Sequence, residues 1–451
     1  MNVRKGMSVV PALVLSVALL SHGQETNSAS RHITLDDAIQ LALKHNHRVR
    51  SAADQIQAKQ YAKEVARSEY LPRITNESLV AQVTDTQFIQ IGAGELGTVA
   101  STPVPDKSLI LNQGRKTFVT SGTELVEPIT QLFTRVRSAN ESAQADLNAS
   151  RANAQETEIE VALKVHQIYY GVLIAQSRLS AAQAKMKAGQ DLESERIQQV
   201  KYGSALDQQL IESRAQSLES KQDLLTIELH ISDLTMELDD VMGLPVTTQL
   251  VLDTTIPAVS DACEREECVK AALASHPEIA GARAEVEKAL AGVRSEKAAY
   301  IPDISAFARY SYQSDVPFLA RNFGTFGARL TYDLFDGGRR GAAVKESEAE
   351  LAQAKENLAR VTDEVELRVA TALNRLDRTK EMVNVSQQVL ALRTEASRVS
   401  TQKFSNGEAL QSQADTAAAQ ALDAKALLLQ SQLDYALAHD ELLEAVGIAP
   451  Q

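Results

Sequence analysis

Apolar positions in the stretch 137–201 recur at Val161, Val165, Ile168, Val172, Ala175 and Leu179, a 4-3-4-3-4 spacing, and the stretch 338–402 repeats the habit at Val365, Val369, Ala372 and Leu376. A period near 3.5 is that of helices packed along their whole length as coiled coils. The last stretch continues with Leu422, Ala426, Leu429, Leu433 and Ala436, and the many alanines allow close helix approach. With no proline and hardly any glycine in either long stretch, each predicts ~65 helical residues, on the order of 100 Å. Elsewhere the period changes to two. Ile304, Ala306, Ala308, Tyr310 and Tyr312 alternate with Ser305, Phe307, Arg309 and Ser311, and Phe326, Ala328, Leu330, Tyr332 and Leu334 alternate with Gly327, Arg329, Thr331 and Asp333. These are strands, of about the 9–11 residues that cross a bilayer when tilted. In that setting Arg309, Arg329 and Asp333 would face the water-filled lumen of a barrel; a hairpin packed on protein would show the same alternation. Weaker counterparts lie near Ile74–Val83 and Phe118–Ile129.

The chain is written twice. Ala42-Leu43, Ala52, Tyr70-Leu71-Pro72 and Ile74 fall on Ala272-Leu273, Ala282, Tyr300-Ile301-Pro302 and Ile304, a shift of 230 positions from Tyr70 to Tyr300. Further on, the segment from Glu160 to Val165 falls on Glu364 to Val369, Gly203 on Gly407 and Gly243 on Gly447, a shift of 204. The two shifts differ by 26, so the first copy carries about 26 extra residues, which the Gly-, Thr-, Ser- and Pro-rich stretch Asp85–Thr117 can hold. This reads as an enlarged hairpin loop, where insertion costs little. Each copy reads helix (about 34–69 and 265–299), two strands, long helix, turn, long helix. Proline ends the first helix, and Gly203 and Gly407 are the expected turns between the long ones. The units run 33–245 and 263–449 with a linker at 246–262. Four strands per chain are too few to close a barrel, and lipid does not tolerate open strand edges. Spanning therefore requires several chains, three or four by this count.

Composition agrees with long helices rather than one large core: 451 residues contain no tryptophan and 4% aromatics. Residues 1–23 have a basic start (Arg4, Lys5), the apolar run Val9–Leu20 and a small-residue exit, the order of a secretory signal peptide, with a short signal anchor as the alternative. No later stretch approaches the ~18 apolar residues of a membrane-spanning helix. Net charge is −13, which argues against a nucleic-acid partner. The two cysteines, Cys263 and Cys268, are five apart in an exported chain, so a disulfide and two free thiols are both open. Two ligands complete no zinc tetrahedron. Nothing points to an enzyme or a cofactor: Gly92-Ala93-Gly94-Glu95-Leu96-Gly97 matches a dinucleotide-loop pattern, but Pro103 and Pro105 prevent the helix it needs, so a flexible loop is expected.

With these features in place the chain resembles the TolC-like outer-membrane efflux family. The resemblance rests on the duplicated layout, Tyr70-Leu71-Pro72 and Tyr300-Ile301-Pro302, Leu334-Phe335-Asp336-Gly337-Gly338-Arg339, Tyr169-Tyr170, and the Gly203 and Gly407 turns, over roughly Ile33 to Gly447. It implies a mainly α fold with a small transmembrane β part: a homotrimer whose twelve-stranded β-barrel sits in outer-membrane lipid and continues as an α-barrel across the periplasm. It also implies passive exit for substrates delivered by an inner-membrane transporter, of RND or ABC type, through a periplasmic adaptor. The first strand-to-helix junction, Gln131-Leu132-Phe133-Thr134-Arg135, lacks the Gly-Gly of the second. Where the family often has an acid six residues after the turn glycine, Gln413 stands here and Asp415 follows. Asp207 and Asp415 are the candidates for a carboxylate ring at the periplasmic mouth; solvated carboxylates near a turn are the simpler alternative. The competing function is an exported, non-channel coiled-coil protein, such as a periplasmic adaptor or surface adhesin.

Overall fold

A computed structural model describes residues 31–84, 88–112, 116–246, 248–256, 259, 263–314 and 320–450, so the expected signal peptide and part of the expected linker lie outside the described residues. The first unit runs β1 (Arg31–Ile33), α1 (Leu35–His45), α2 (His47–Ser68), β2 (Arg73–Gln82), β3 (Phe88–Ile91), β4 (Thr98–Val99), β5 (Thr102–Pro103), β6 (Leu109–Asn112), β7 (Thr117–Glu127), α3 (Ile129–Phe133), α4 (Arg135–Lys201) and α5 (Asp207–Val241). The second runs β8 (Leu250–Leu252), α6 (Arg265–Ser275), α7 (Pro277–Ala298), β9 (Asp303–Ser314), β10 (Asn322–Thr331), α8 (Arg339–Ser405) and α9 (Gln411–Val446). The long helices α4 and α8 have 67 residues each, as their uninterrupted period predicts.

The predicted single first helix is two helices in both copies. The chain turns extended at Asn46 and again at His276, the equivalent position. The Asn46 side chain accepts from Arg48 N, and His276 Nδ1 accepts from Glu278 N, so each breaking residue also starts the next helix. The reason for the break lies far away in sequence. Gly243 and Gly447, both in the left-handed region, end α5 and α9 against these corners: a Cβ would lie 2.8 Å from His45 Cβ at Gly243 and 2.9 Å from His276 Cα at Gly447. Asn46 Nδ2 donates to the Val241 carbonyl, closing the first corner. The helices thus end in the bonding pattern of a Schellman cap, with Leu244 N donating to Asp239 O and Ile448 N to Leu443 O.

Helices α2, α4, α7 and α8 lie side by side in that order toward the sheet, and α5, α4, α9 and α8 toward the other end. The antiparallel sheet has the same lateral order, β2-β7-β9-β10. Each strand is therefore the continuation of the helix that precedes or follows it, and both layers end on the same two sides. Midway, β1 and β8 form a parallel ladder that joins the starts of the two units. One core lies beneath it, built on Val161, Val165, Ile168, Tyr169 and Val172 with Ile39, Met242 and Leu433. The other joins Val365, Val369 and Leu376 to Cys268, Ile279 and Leu442. The seam residues read from spacing are mostly in these cores, but Leu422 is exposed. The insertion is built rather than shapeless: β3 pairs with β6 and β4 with β5 beyond the tip of the first hairpin. Its glycine motif makes turns, with Gly94 and Gly97 left-handed and Gly92 N donating to Glu95 Oε2. No described helix is long and apolar enough to cross a membrane.

Candidate functional site

Strand register assigns every sheet residue to one of two faces, because directly paired residues share a side and neighbours alternate. One face carries Ile74, Val80, Val119, Leu125, Ile304, Ala306, Ala308, Phe326, Ala328 and Leu330, with the tyrosines Tyr310 and Tyr312. Its one charge, Glu127, is at the rim. Phe326 is 89% exposed on it, and Leu334 and Phe335 extend the apolar surface below the sheet. The few mid-strand polar groups are bonded to one another: Asn76 Nδ2 donates to Thr123 Oγ1, and the Ser78 and Ser121 hydroxyls are 2.9 Å apart. The opposite face holds Arg73, Glu77, Glu124, Asp303, Arg309 and Arg329. An apolar exposed face backed by a charged one is the arrangement of a barrel wall between lipid and water.

Arg309 and Arg329 are on the charged face, as alternation predicts. Arg309 lies against Gly122, and Arg329 lies over the Phe307 ring, 5.3 Å from its centroid. Asp333 is placed differently. The hydrogen-bonded ladder stops at Thr331, two residues before it, because Arg340 draws the chain away: its Nη2 donates to the Asp333 carbonyl. Alternation simply continues past the end of the strand. Asp333 lines instead a cavity of about 220 Å³ under the sheet, together with Thr130, Gln131, Asp303 and Arg340. Arg340 organises this junction. Its Nε donates to Asp336 Oδ2, and its guanidinium lies over Tyr300 and Tyr332. The Arg340 bonds, with Gly338 N donating to the same carboxylate, hold Asp336 down at about 2. In the first unit the short helix α3 takes this place: Gln131 Nε2 donates to Asp303 Oδ2 and Ile304 N to Thr130 Oγ1.

At the far end Gly203 and Gly407 are left-handed turns, with Ser204 N donating to Gln199 O and Glu408 N to Lys403 O. Asp207 is exposed at the start of α5. Asp415 is not brought together with it at an opening. Its side chain turns against α4, with Oδ1 3.7 Å from Lys187 Nζ and the carboxyl facing that of Asp191, which burial and then Asp415 push up. The ring candidate that spacing suggested is thus packed between two helices. Sequence reasoning missed its neighbour Glu195, whose carboxylate accepts from Ser412 N and from Ser412 Oγ and so fastens the start of α9 to α4. No motif announces that contact across 217 residues.

The cysteines are joined: Cys263 and Cys268, with Cα atoms 5.7 Å apart, close a small loop at the start of α6. A buried polar group also went unread. His166 Nδ1 is 2.6 Å from Asp440 Oδ2, and Tyr169 OH donates to the carbonyls of Ile33 and Asp253. Burial raises the Tyr169 hydroxyl to about 12, so it stays a donor that clamps the start of the first unit to the linker. Among the described residues no three His, Cys, Asp or Glu side chains are grouped to hold a metal ion.

Comparison with known proteins gives three results. Residues 268–448 match the family model described as outer membrane efflux protein. No curated protein sequence matches significantly. Among solved structures, the Campylobacter jejuni CmeC outer membrane channel superposes with a TM-score of 0.75 at 14% identity, covering 92% of this chain and 85% of that one. A membrane protein from Pseudomonas aeruginosa gives 0.74 at 17% identity over 92% and 90%, and the open-state Neisseria gonorrhoeae MtrE outer membrane channel 0.72 at 18% over 92% and 89%. At such identities the likeness is one of fold.

Proposed function

We propose that the chain is an outer membrane efflux protein, the family its residues 268–448 match, and that three copies close into one duct, a twelve-stranded barrel in the outer membrane continued by twelve helices through the periplasm. The observation that carries this is the pair of unfinished edges. The sheet ends in β2 and β10, each paired along one edge only, and lipid would not tolerate the other edge unpaired. The helical layer ends on the same sides with unpartnered seams: Ile211, Leu218 and Leu225 are exposed on α5, and Val385, Leu392 and Val399 on α8, each at seven-residue steps. A neighbouring copy would cover both edges at once. The duct is a passive exit for solutes handed over by an inner-membrane transporter of RND or ABC type through a periplasmic adaptor. Asp207, exposed beside the turn, contributes negative potential at its mouth.

Detergent-dependent extraction, heat-modifiable migration on gels and a cross-linked trimer are expected, with conductance in planar bilayers. Recovery from the soluble periplasmic fraction as a monomer would overturn the proposal. For the mouth, Asp207→Ala should weaken block by divalent cations, and unchanged block removes that role.

A further inference from the structure

Glycine in the interior of a strand marks a place where something approaches the backbone closely. Gly122 is such a residue, in the middle of β7 on the charged face. A Cβ there would lie 2.9 Å from Arg309 Nη2 and 3.1 Å from Arg309 Nε. The guanidinium therefore occupies the space that a side chain at position 122 would take. Arg309 starts on β9 directly opposite Glu124, and Gly122 is paired on its other side with Glu77 of β2. The side chain thus leans diagonally across a glycine saddle from one carboxylate row to the next. Glu77, Gly122 and Arg309 line one concavity of about 450 Å³ on this face, with Thr325 of β10 at its side.

Counted by register, this face holds three acids (Glu77, Glu124, Asp303) and three bases (Arg73, Arg309, Arg329) per chain. The wall is balanced in a protein whose net charge is −13. We propose that Arg309, seated on Gly122, offsets Glu124 and Glu77 and so keeps the barrel passable to anionic solutes. This rests on the reading of the charged face as the lumen. Losing Arg309 would leave a net negative belt in each copy, and a ring of like charge concentrates ions of opposite sign and repels its own.

The local potential can be read with a reporter thiol. Both native cysteines are bridged, so Thr325→Cys, on the residue paired with Arg309 from the other side, supplies the thiol to be labelled. Reconstituted protein is treated with cationic and anionic thiosulfonate reagents of similar size, and modification is followed through the fall in conductance. Arg309→Gln should raise the cationic-to-anionic rate ratio roughly threefold or more, Arg309→Lys should leave it nearly unchanged, and Glu124→Gln should lower it. A ratio that neither Arg309→Gln nor Glu124→Gln moves, while modification still lowers conductance, overturns the role of Arg309 and leaves the duct intact. Modification that proceeds without any effect on conductance removes the lumen reading and this inference with it.

Discussion

At the start of the first repeat α1 is capped by Thr34, whose hydroxyl oxygen accepts from Asp37 N while the Asp37 carboxylate accepts from Thr34 N. At the same place in the second repeat α6 has no side-chain cap and is held by the Cys263–Cys268 bridge. The cores differ in the same spirit. Where the first repeat buries His166 and Tyr169 beside half its seam, the shift of 204 puts Ala370 and Leu373 in the second. The first core also clasps the segment that joins the units; the second is apolar and fastened by sulfur. Duplicated backbone geometry therefore fixes what must be held, while leaving the chemistry that holds it free to diverge.

The largest expected effect tests what the repeats still share. Gly447→Val would place a branched side chain where even a Cβ lies 2.9 Å from His276 and Pro277, on left-handed backbone. A loss of at least ~3 kcal/mol is expected, and the same for Gly243→Val against His45. At the turns Gly203 and Gly407 the conformation is equally left-handed, but nothing lies within 4 Å of an added Cβ. Gly407→Ala should cost only about 1 kcal/mol, the conformational part alone. Thermal unfolding of the detergent-solubilised protein separates the two cases. Equal losses at Gly447 and Gly407 would mean the corner packing contributes nothing.

The different fastenings come next. Replacing both Cys263 and Cys268 by serine should lower stability by about 2 kcal/mol, as expected for so short a closed loop, against about 1 kcal/mol for Thr34→Ala. If the double serine variant unfolds at the wild-type midpoint, the bridge does not replace the missing cap.

A third difference is one of charge. Glu156 of α4 faces Glu278 of α7, whereas the equivalent position in the second repeat is Arg360, which pairs outward with Glu364. Burial, with the bond to Glu278 adding to it, raises Glu156 from 4.5 to about 7, while the Arg368 guanidinium on Glu278 keeps that partner low. A carboxyl with a raised pKa binds its proton more tightly folded than unfolded, so stability falls as pH rises from about 4.5 through about 7. Glu156→Gln removes that slope. It should match the wild type near pH 4 and exceed it by about 1 kcal/mol at pH 8, after allowing for solvent screening of a half-exposed group. Parallel wild-type and variant pH profiles would refute the assignment.

What spacing could tell divides along the same line. The long helices, the hairpins and the Gly203 and Gly407 turns were legible because each is written locally and written twice, whereas Gly243 and Gly447 showed only as a repeated pair. The breaks at Asn46 and His276 were not, because a regular helical pattern runs across them and the cause is a distant glycine corner. The surroundings of Asp333 were not, because alternation outlasts the ladder, nor those of Asp415, because Asp191 lies on another helix. Gly122 was not read from the sequence, because only the register and the side chain of Arg309 show what occupies its space.

The smallest effect is expected where the repeats differ most in length. The ladder of β3 with β6 stands beyond the paired ends of β2 and β7, Gln82 and Thr117. In the second repeat the chain between Ser314 and Asn322 is far shorter. Among the described residues, none of those that form the two cores, the corners or the charged face comes from within 88–112. Replacing that stretch by a short Gly-Ser turn shortens the connection and gains only a fraction of a kcal/mol in closure entropy. The variant should therefore unfold within about 1 kcal/mol of the wild type and still give the cross-linked trimer proposed above. A large loss would show that the insertion braces the first hairpin, and the comparison of the repeats would then have to count it as a fastening rather than an ornament of the loop.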